Sequence, residues 1–171
     1  MLRIALLSDN HGYYGDEIGQ NLSDVDEIWH AGDIGKIGSI DILAQFGTIK
    51  AVYGNVDDAV IRSEFSKDLI WHVGNIKIFM THIGGYPGKY NARVGAIIKS
   101  EHPHLFICGH SHICKIVPDR VNNLLHLNPG AYGFHGFHQM RTFLKFEIAN
   151  DRIANMKVVE LGLRVKTEIV L

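Results

Sequence analysis

Short apolar runs alternate with polar stretches along most of the 171-residue chain. The runs are almost continuously apolar and end in Gly, Asp, Asn or His, which is typical of strands covered on both faces. The stretches between them predict helices over 16–22, 39–46 and 90–100. This alternation predicts an α/β fold with much parallel pairing. The five predicted strands are RIALLSD (3–9), EIWHAGD (27–33), GTIKAVYGN (47–55), IKIFMTH (76–82) and HLFICGH (104–110).

Antiparallel pairs of strands are predicted in the middle and near the end of the chain. Two apolar runs within 68–81 flank Gly74-Asn75, a dipeptide that favours a tight hairpin turn. The segment RTFLKFEI (141–148) alternates between apolar and polar positions, and a further run at 153–161 follows a short polar turn. These segments add β-structure to the alternating pattern.

The composition is that of an ordinary globular protein. Hydrophobic residues make up 46% and charged residues 20%, and no linker or repeat interrupts the chain, so we expect one domain over residues 1–171. The formal net charge of −1 gives no reason to expect nucleic acid or a membrane surface as the main partner, although it is compatible with a local basic patch. Two cysteines, no signal-peptide pattern and no long apolar stretch favour a cytoplasmic location. Oligomeric state is left open.

Potential metal ligands lie at the ends of all five predicted strands. Because ligands bind beyond the carboxyl ends of strands in open α/β sheets, these side chains are expected at one rim. Each has a structural alternative when taken alone: Asp9 as a helix N-cap, and Asp33 or Asn55 as a turn residue. The coincidence at five strand ends favours a metal site. The seven donors are Asp9, His11, Asp33, Asn55, His82, His110 and His112.

Spacing and donor type narrow the kind of metal site. Residues i and i+2 of an extended chain point to the same side. Asp9 with His11, and His110 with His112, are therefore expected to direct two donors at one metal or at two neighbouring metals. Carboxylate, amide and imidazole donors suit Mn, Zn, Fe or Ni. This set has no thiolate, which argues against a structural zinc site.

Five sequence blocks resemble those of the calcineurin-like metallophosphoesterases. SDNHG, HAGD, YGNVD, MTH and CGHSH follow the order of the family's DxH, GD, GN, H and GHxH motifs, and LNPGAYG (127–133) resembles a further family loop. One block alone is weak evidence, but five in order are specific. The chain is most similar to the small bacterial and archaeal phosphodiesterase branch. The resemblance implies a four-layer α-β-β-α sandwich with a dinuclear metal centre on one rim.

The resemblance also implies a role for each ligand. A hydroxide bridging two divalent ions, with Mn expected first and Zn, Fe or Ni as alternatives, would attack phosphorus in line. The implied substrate is a small phosphate ester, and Asp33, Asn55 and His11 are the candidate catalytic residues. Two groups of three ligands would each hold one ion, with a seventh ligand bridging them: Asp9, His11 and His112; Asn55, His82 and His110; and Asp33 as the bridge.

Val56 departs from the fullest family pattern. Many relatives have a histidine there that is proposed to contact the phosphate or protonate the leaving group, and Val56 can do neither. The small phosphodiesterase branch often lacks this histidine, so Val56 does not indicate an inactive site. We therefore predict a phosphodiesterase. The alternatives are a phosphomonoesterase or nucleotidase, and a weakly active or non-catalytic protein-binding scaffold, as in a similar retromer subunit.

Several residues around these motifs each have two possible roles. His135 and His138 follow the LNPGAYG loop and are candidates for substrate contact, with a solvated loop as the alternative. Arg141 either binds phosphate or begins the next strand. Asp57 either orients the Asn55 loop or caps it. The histidines outside these motifs and both tryptophans are expected to be structural.

Overall fold

Two five-stranded sheets form the centre of the protein, whose computed structural model describes residues 1–165. The last six residues of the predicted 1–171 domain lie outside the described residues. The strands are β1 (Leu2–Leu7), β2 (Glu27–His30), β3 (Thr48–Ala51), β4 (Asp68–Val73), β5 (Ile76–Thr81), β6 (Leu105–Ile107), β7 (Cys114–Asp119), β8 (Leu124–Pro129), β9 (Met140–Ala149) and β10 (Arg152–Leu163). The helices are α1 (Asp16–Gln20), α2 (Ile37–Leu43), α3 (Ala59–Glu64) and α4 (Ala92–Glu101).

Both sheets mix parallel and antiparallel pairs. The first has the order β10-β9-β1-β2-β3, and the second has the order β4-β5-β6-β8-β7. The expected parallel pairing holds for β1 with β2, β2 with β3, β5 with β6, and β6 with β8. The predicted hairpin is confirmed, because Val73 pairs with Ile76 across Gly74, whose φ of +57° suits a tight turn.

Three apolar clusters hold the elements in four layers. Leu6 of β1 and Met80 of β5 belong to the cluster between the two sheets. The next residue of β1, Leu7, faces the other way and shares a cluster with Leu43 of α2. On the outer face of the second sheet, Val94 of α4 belongs to a third cluster. The layers are the predicted α-β-β-α sandwich, and burial on both faces explains the continuous apolar runs.

Three elements of the structure are not predicted by the sequence pattern. The helix α3 has only six residues, too few to show a helical period, and begins where the Asp58 side chain accepts a hydrogen bond from the Ile61 N–H. The strand β7 lies at a sheet edge and is partly exposed. In β8, buried His126 and Asn128 interrupt the apolar run. In the described part of the chain, no helix is long and apolar enough to cross a membrane.

Candidate metal centre

The loops that follow five strands bring the predicted ligands together. The strands are shorter than the sequence pattern predicts, since β1 ends at Leu7 and β2 at His30, so all seven ligands lie in the loops beyond. The first sheet contributes Asp9 and His11 after β1, Asp33 after β2 and Asn55 after β3, and the second contributes His82 after β5 and His110 and His112 after β6.

Left-handed backbone, and not the pleat of a strand, directs each pair of ligands. Asp9 and His11 have φ values of +56° and +48°, and His110 and His112 have +67° and +57°. The donors of each pair do converge, Asp9 and His11 in one group and His110 and His112 in two neighbouring groups, but the expected reason, an extended chain, is wrong. Asp33 also has a positive φ, +54°. Such strained backbone in non-glycine residues is concentrated at functional sites.

The ligand side chains form two groups of three. Within each group, one potential ligand atom from every residue lies within 4.8 Å of the others. The Asp33 Oδ2 atom is 3.2 Å from His82 Nε2 and 4.0 Å from His11 Nε2, so it faces both groups. The groups are Asp9, His11 and His112, and Asp33, His82 and His110.

Each buried aspartate has one oxygen held by the protein and one turned toward histidines. The Asp9 Oδ2 atom accepts hydrogen bonds from Ser8 Oγ at 2.5 Å and the His110 backbone N–H at 3.0 Å. Its Oδ1 atom is 3.1 Å from His112 Nε2. The Asp33 Oδ1 atom accepts the Val56 backbone N–H at 3.1 Å, which leaves Oδ2 between His82 and His11.

Three buried polar atoms of the centre make no well-aligned hydrogen bond in the described part of the chain, although the first and the last lie 3.1 and 3.2 Å from His112 and Asp33: Asp9 Oδ1, His11 Nε2 and His82 Nε2. The other ring nitrogen of His82, Nδ1, is 2.7 Å from the Ala31 carbonyl, which can only accept. His82 therefore donates from Nδ1 and presents the Nε2 lone pair to the centre, as metal-binding histidines do. A cation would satisfy all three atoms, so the residues fit a metal site.

Burial and neighbouring charges shift the pKa values of residues in the centre. Burial lowers the pKa of His11 and His110, and for His110 the neighbouring His82 adds to the effect. Burial alone would lower the pKa of His82, but the carboxylates of Asp33 and Asp9 reverse the direction and raise it. Burial raises the pKa of Asp33, but the contact with His82, the Val56 N–H and the charge of His11 together lower it. The lowered pKa values of His11, His110 and Asp33 favour the neutral imidazoles and the ionised carboxylate that bind a metal, whereas His82 has to release its proton when a metal binds.

The chain matches the model of the calcineurin-like phosphoesterase superfamily domain over residues 2–151. It belongs to this superfamily. The two clusters of donors agree with the divalent metals that this fold family uses. No curated protein matches the chain significantly.

Solved structures with the same fold have low sequence identity to this superfamily member. An archaeal phosphodiesterase is 21% identical with a TM-score of 0.72, and the match covers 94% of this chain and 100% of that chain. A predicted phosphoesterase from Streptococcus pneumoniae is 23% identical with a TM-score of 0.67, covering 94% and 89%. Vps29 from Entamoeba histolytica, complexed with Zn²⁺, is 17% identical with a TM-score of 0.71, covering 93% and 99%.

In this superfamily member, Asp57 joins the two loops that carry Asp33 and Asn55. Its buried carboxylate accepts the backbone N–H of Gly35 and of Gly54, each at 2.7 Å. Between the two possible roles of Asp57, orientation of the Asn55 loop is the one these contacts support. The cap of the following helix is Asp58.

Histidines around the centre differ in what they contact. His138 lies with its Nδ1 atom 3.3 Å from His112 Nδ1. The exposed ring of His135 is centred 4.5 Å from the ring of His11, at the mouth of the centre. Arg141 lies within β9 and is buried, with its guanidinium 2.9 Å from Glu17 Oε1, so it is held inside the protein.

Behind the ligands lies a buried series of hydrogen-bonded polar side chains that the sequence does not reveal. His30 Nδ1 accepts the Gly32 N–H at 3.2 Å, and His30 Nε2 lies 3.1 Å from Asn10 Oδ1. The Asn10 amide donates in turn to Ser39 Oγ at 3.1 Å. These hydrogen bonds connect the Asp9-His11 loop to the loop before Asp33. Their only sequence signal is that Asn10 and His30 lie beside the motifs, which does not reveal contact.

Proposed function

We propose that this protein is a phosphodiesterase that uses two divalent metal ions. The observation that carries the proposal is the position of Asp33, whose Oδ2 atom faces a histidine of each ligand group at 3.2 and 4.0 Å. When bound, two divalent ions acidify a water and offset the charge of the phosphoryl oxygens. Mn²⁺ is the first expectation, with Zn, Fe or Ni as alternatives.

The residues of the chain hold the ions and position the substrate. In the proposed assignment, Asp9, His11 and His112 hold one ion, His82 and His110 hold the other with the Asn55 amide oxygen, and Asp33 is shared. Asn55 lines the open cleft above both groups, where its amide can also donate to a phosphate oxygen. His135 lies at the same mouth and can donate to a second oxygen, whereas His138 orients His112.

The apolar cleft that opens over one side of the centre suits a diester better than a monoester. One cleft of about 370 Å³ opens over His11, Asp33 and His112, and its described lining includes Val56, Ile113 and Phe137 but no lysine or arginine. A monoester dianion would gain from further cations here. An apolar wall instead suits the organic group of a diester.

Hydrolysis of bis(p-nitrophenyl) phosphate tests the proposal. Protein saturated with Mn²⁺ should release p-nitrophenol, and Asp33→Asn should lower kcat by about 100-fold or more, because one shared ligand supports both ions. Asp58→Asn is the matched control, since this carboxylate caps α3. Full activity of Asp33→Asn, with two metals still bound per chain by plasma mass spectrometry, would overturn the mechanism. A panel adding p-nitrophenyl phosphate and cyclic nucleotides tests the monoesterase and nucleotidase alternatives.

A second candidate function is a protein-binding scaffold. It is favoured by exposed apolar side chains around the mouth, including Val56 at 52%, Ile113 at 55% and Phe137 at 101% exposure. Several structures of the same fold are Vps29 proteins, among them vacuolar protein sorting 29 from Cryptosporidium parvum. Fewer than one bound metal per chain after incubation with Mn²⁺ would favour this function over the enzyme.

A further inference from the structure

A basic cleft opens beside the metal centre, on the side of His82. It has a volume of about 390 Å³ and shares Asn55 with the apolar cleft, so the centre lies between the two. Three cationic side chains line it, those of Arg62, Lys67 and Arg93, and its described lining contains no carboxylate. The volume lies within the range of small-molecule sites.

Two of the three cations have no carboxylate partner in the described part of the chain. Arg93 is neutralised by Asp68, with its Nη1 atom 2.5 Å from Oδ2. Arg62 donates only to backbone carbonyls, from Nε to Asp57 at 2.7 Å and from Nη2 to Asn55 at 3.0 Å. Its Nη1 group keeps its donors available. Lys67 forms no ion pair among residues 1–165.

The position of Arg62 is set by the fold. Its guanidinium lies 4.9 Å from the centre of the Tyr53 ring and holds the backbone of the loop that carries Asn55. Asn91, the N-cap of α4, also lines the cleft, so the positive end of that helix is near. The cleft therefore offers positive charge that the protein does not itself neutralise. Such a site attracts a phosphate group.

We infer that this cleft binds a second phosphate of the substrate, one that is not cleaved. The inference rests on the proposed phosphodiesterase function and narrows its substrate class to phosphodiesters that carry a further phosphate. The scissile diester would lie at the metal centre, the second phosphate beside Lys67 and Arg62, and an apolar part of the substrate against Phe137.

Three thymidine dinucleotides test the inference: TpT, its 5′-phosphate pTpT and its 3′-phosphate TpTp. With Mn²⁺ present, kcat/KM for at least one phosphorylated dinucleotide should exceed that for TpT by about tenfold, the effect of one charged hydrogen bond. Lys67→Ala should reduce this ratio toward one, and Lys67→Arg should retain it. Lys99→Ala, which removes an exposed lysine outside the cleft, should leave the ratio unchanged.

Binding measured by calorimetry in EDTA separates this inference from the proposed function. A phosphorylated dinucleotide should bind more tightly than TpT, and Lys67→Ala should abolish that preference. Equal kcat/KM and equal binding for all three compounds would overturn the phosphate subsite, as would an unchanged preference in Lys67→Ala. Failure to hydrolyse any diester with metal present would overturn the phosphodiesterase proposal, whereas a binding preference in EDTA would still support the subsite.

Discussion

The rings of His112 and His138 meet with their Nδ1 atoms 3.3 Å apart. His138 Nε2 is 3.1 Å from the Gly133 carbonyl oxygen, which can only accept, so His138 carries its proton on Nε2 and accepts at Nδ1. His112 is therefore assigned a proton on Nδ1, and its Nε2 lone pair faces the metal group. His138 thus fixes both the orientation and the tautomer of a candidate ligand.

Removing this contact should weaken metal binding. We expect His138→Ala to lower the affinity for Mn²⁺ at one of two sites by about 10- to 100-fold, the usual effect of losing a partner of a metal-binding histidine. Calorimetric titration of metal-free protein measures both sites. Gln139→Ala changes an exposed neighbour and is the control. Unchanged affinity in His138→Ala would show that His112 does not need this partner.

Asp57 is expected to contribute to both stability and metal binding. Asp57→Ala leaves the N–H groups of Gly35 and Gly54 without their acceptor and should cost about 2 kcal/mol in the free energy of unfolding. Urea unfolding in EDTA measures this cost. Since the two joined loops carry Asp33 and Asn55, Mn²⁺ affinity should fall as well.

The control for Asp57 is its neighbour Asp58. Asp58→Ala removes the cap of α3 and should cost about 1 kcal/mol with metal affinity retained. If both variants bound Mn²⁺ as tightly as the parent protein, the contacts of Asp57 would be purely structural.

Val56→His tests whether proton donation limits the reaction. Val56 is half exposed at the mouth of the centre, and its backbone N–H donates to Asp33 Oδ1 regardless of the side chain. Alkyl diesters release an alkoxide, which is a poor leaving group without a proton donor. A histidine at position 56 should raise their turnover by about 100-fold and change the turnover of p-nitrophenyl diesters little. Val56→Gln is the non-titrating control. An unchanged ratio between the two substrate classes would contradict this role for position 56.

Acid should destabilise the metal-free protein through His30. Burial lowers the pKa of this fully buried histidine to about 4, although Asp57 and Asp9 act in the opposite direction. Between its ordinary pKa of 6.5 and about 4, the unfolded state binds a proton that the folded state does not. Through His30, the free energy of unfolding is therefore highest above pH 6.5 and falls by about 3 kcal/mol toward pH 4.

His30→Gln removes the titrating group and should flatten this part of the pH dependence. Urea unfolding in EDTA at pH 7 and pH 5 measures the slope, and His72→Gln, at an exposed position of β4, is the control. A slope equal to that of the parent protein would exclude His30 as the source.

The sequence pattern and the family motifs predict the layered fold and name the residues that the structure assembles into two ligand groups. The strands that precede these ligands are buried on both faces, so each appears in the sequence as an apolar run followed by polar residues. By contrast, β8 pairs with both β6 and β7 yet carries His126 and Asn128, so its pattern does not reveal a strand. The six residues of α3 are likewise too few for a periodic signal.

The sequence by itself determined the chemistry available to this protein: carboxylate, amide and imidazole donors after five strands, and a valine where relatives have histidine. Only the tertiary structure decided how these groups act. The hydrogen bond from the His110 N–H to Asp9, the His112–His138 pair and the basic cleft around Lys67 all join segments far apart in the chain. Local propensity reports the conformation of neighbours, whereas orientation, tautomer and charge at a site arise from packing.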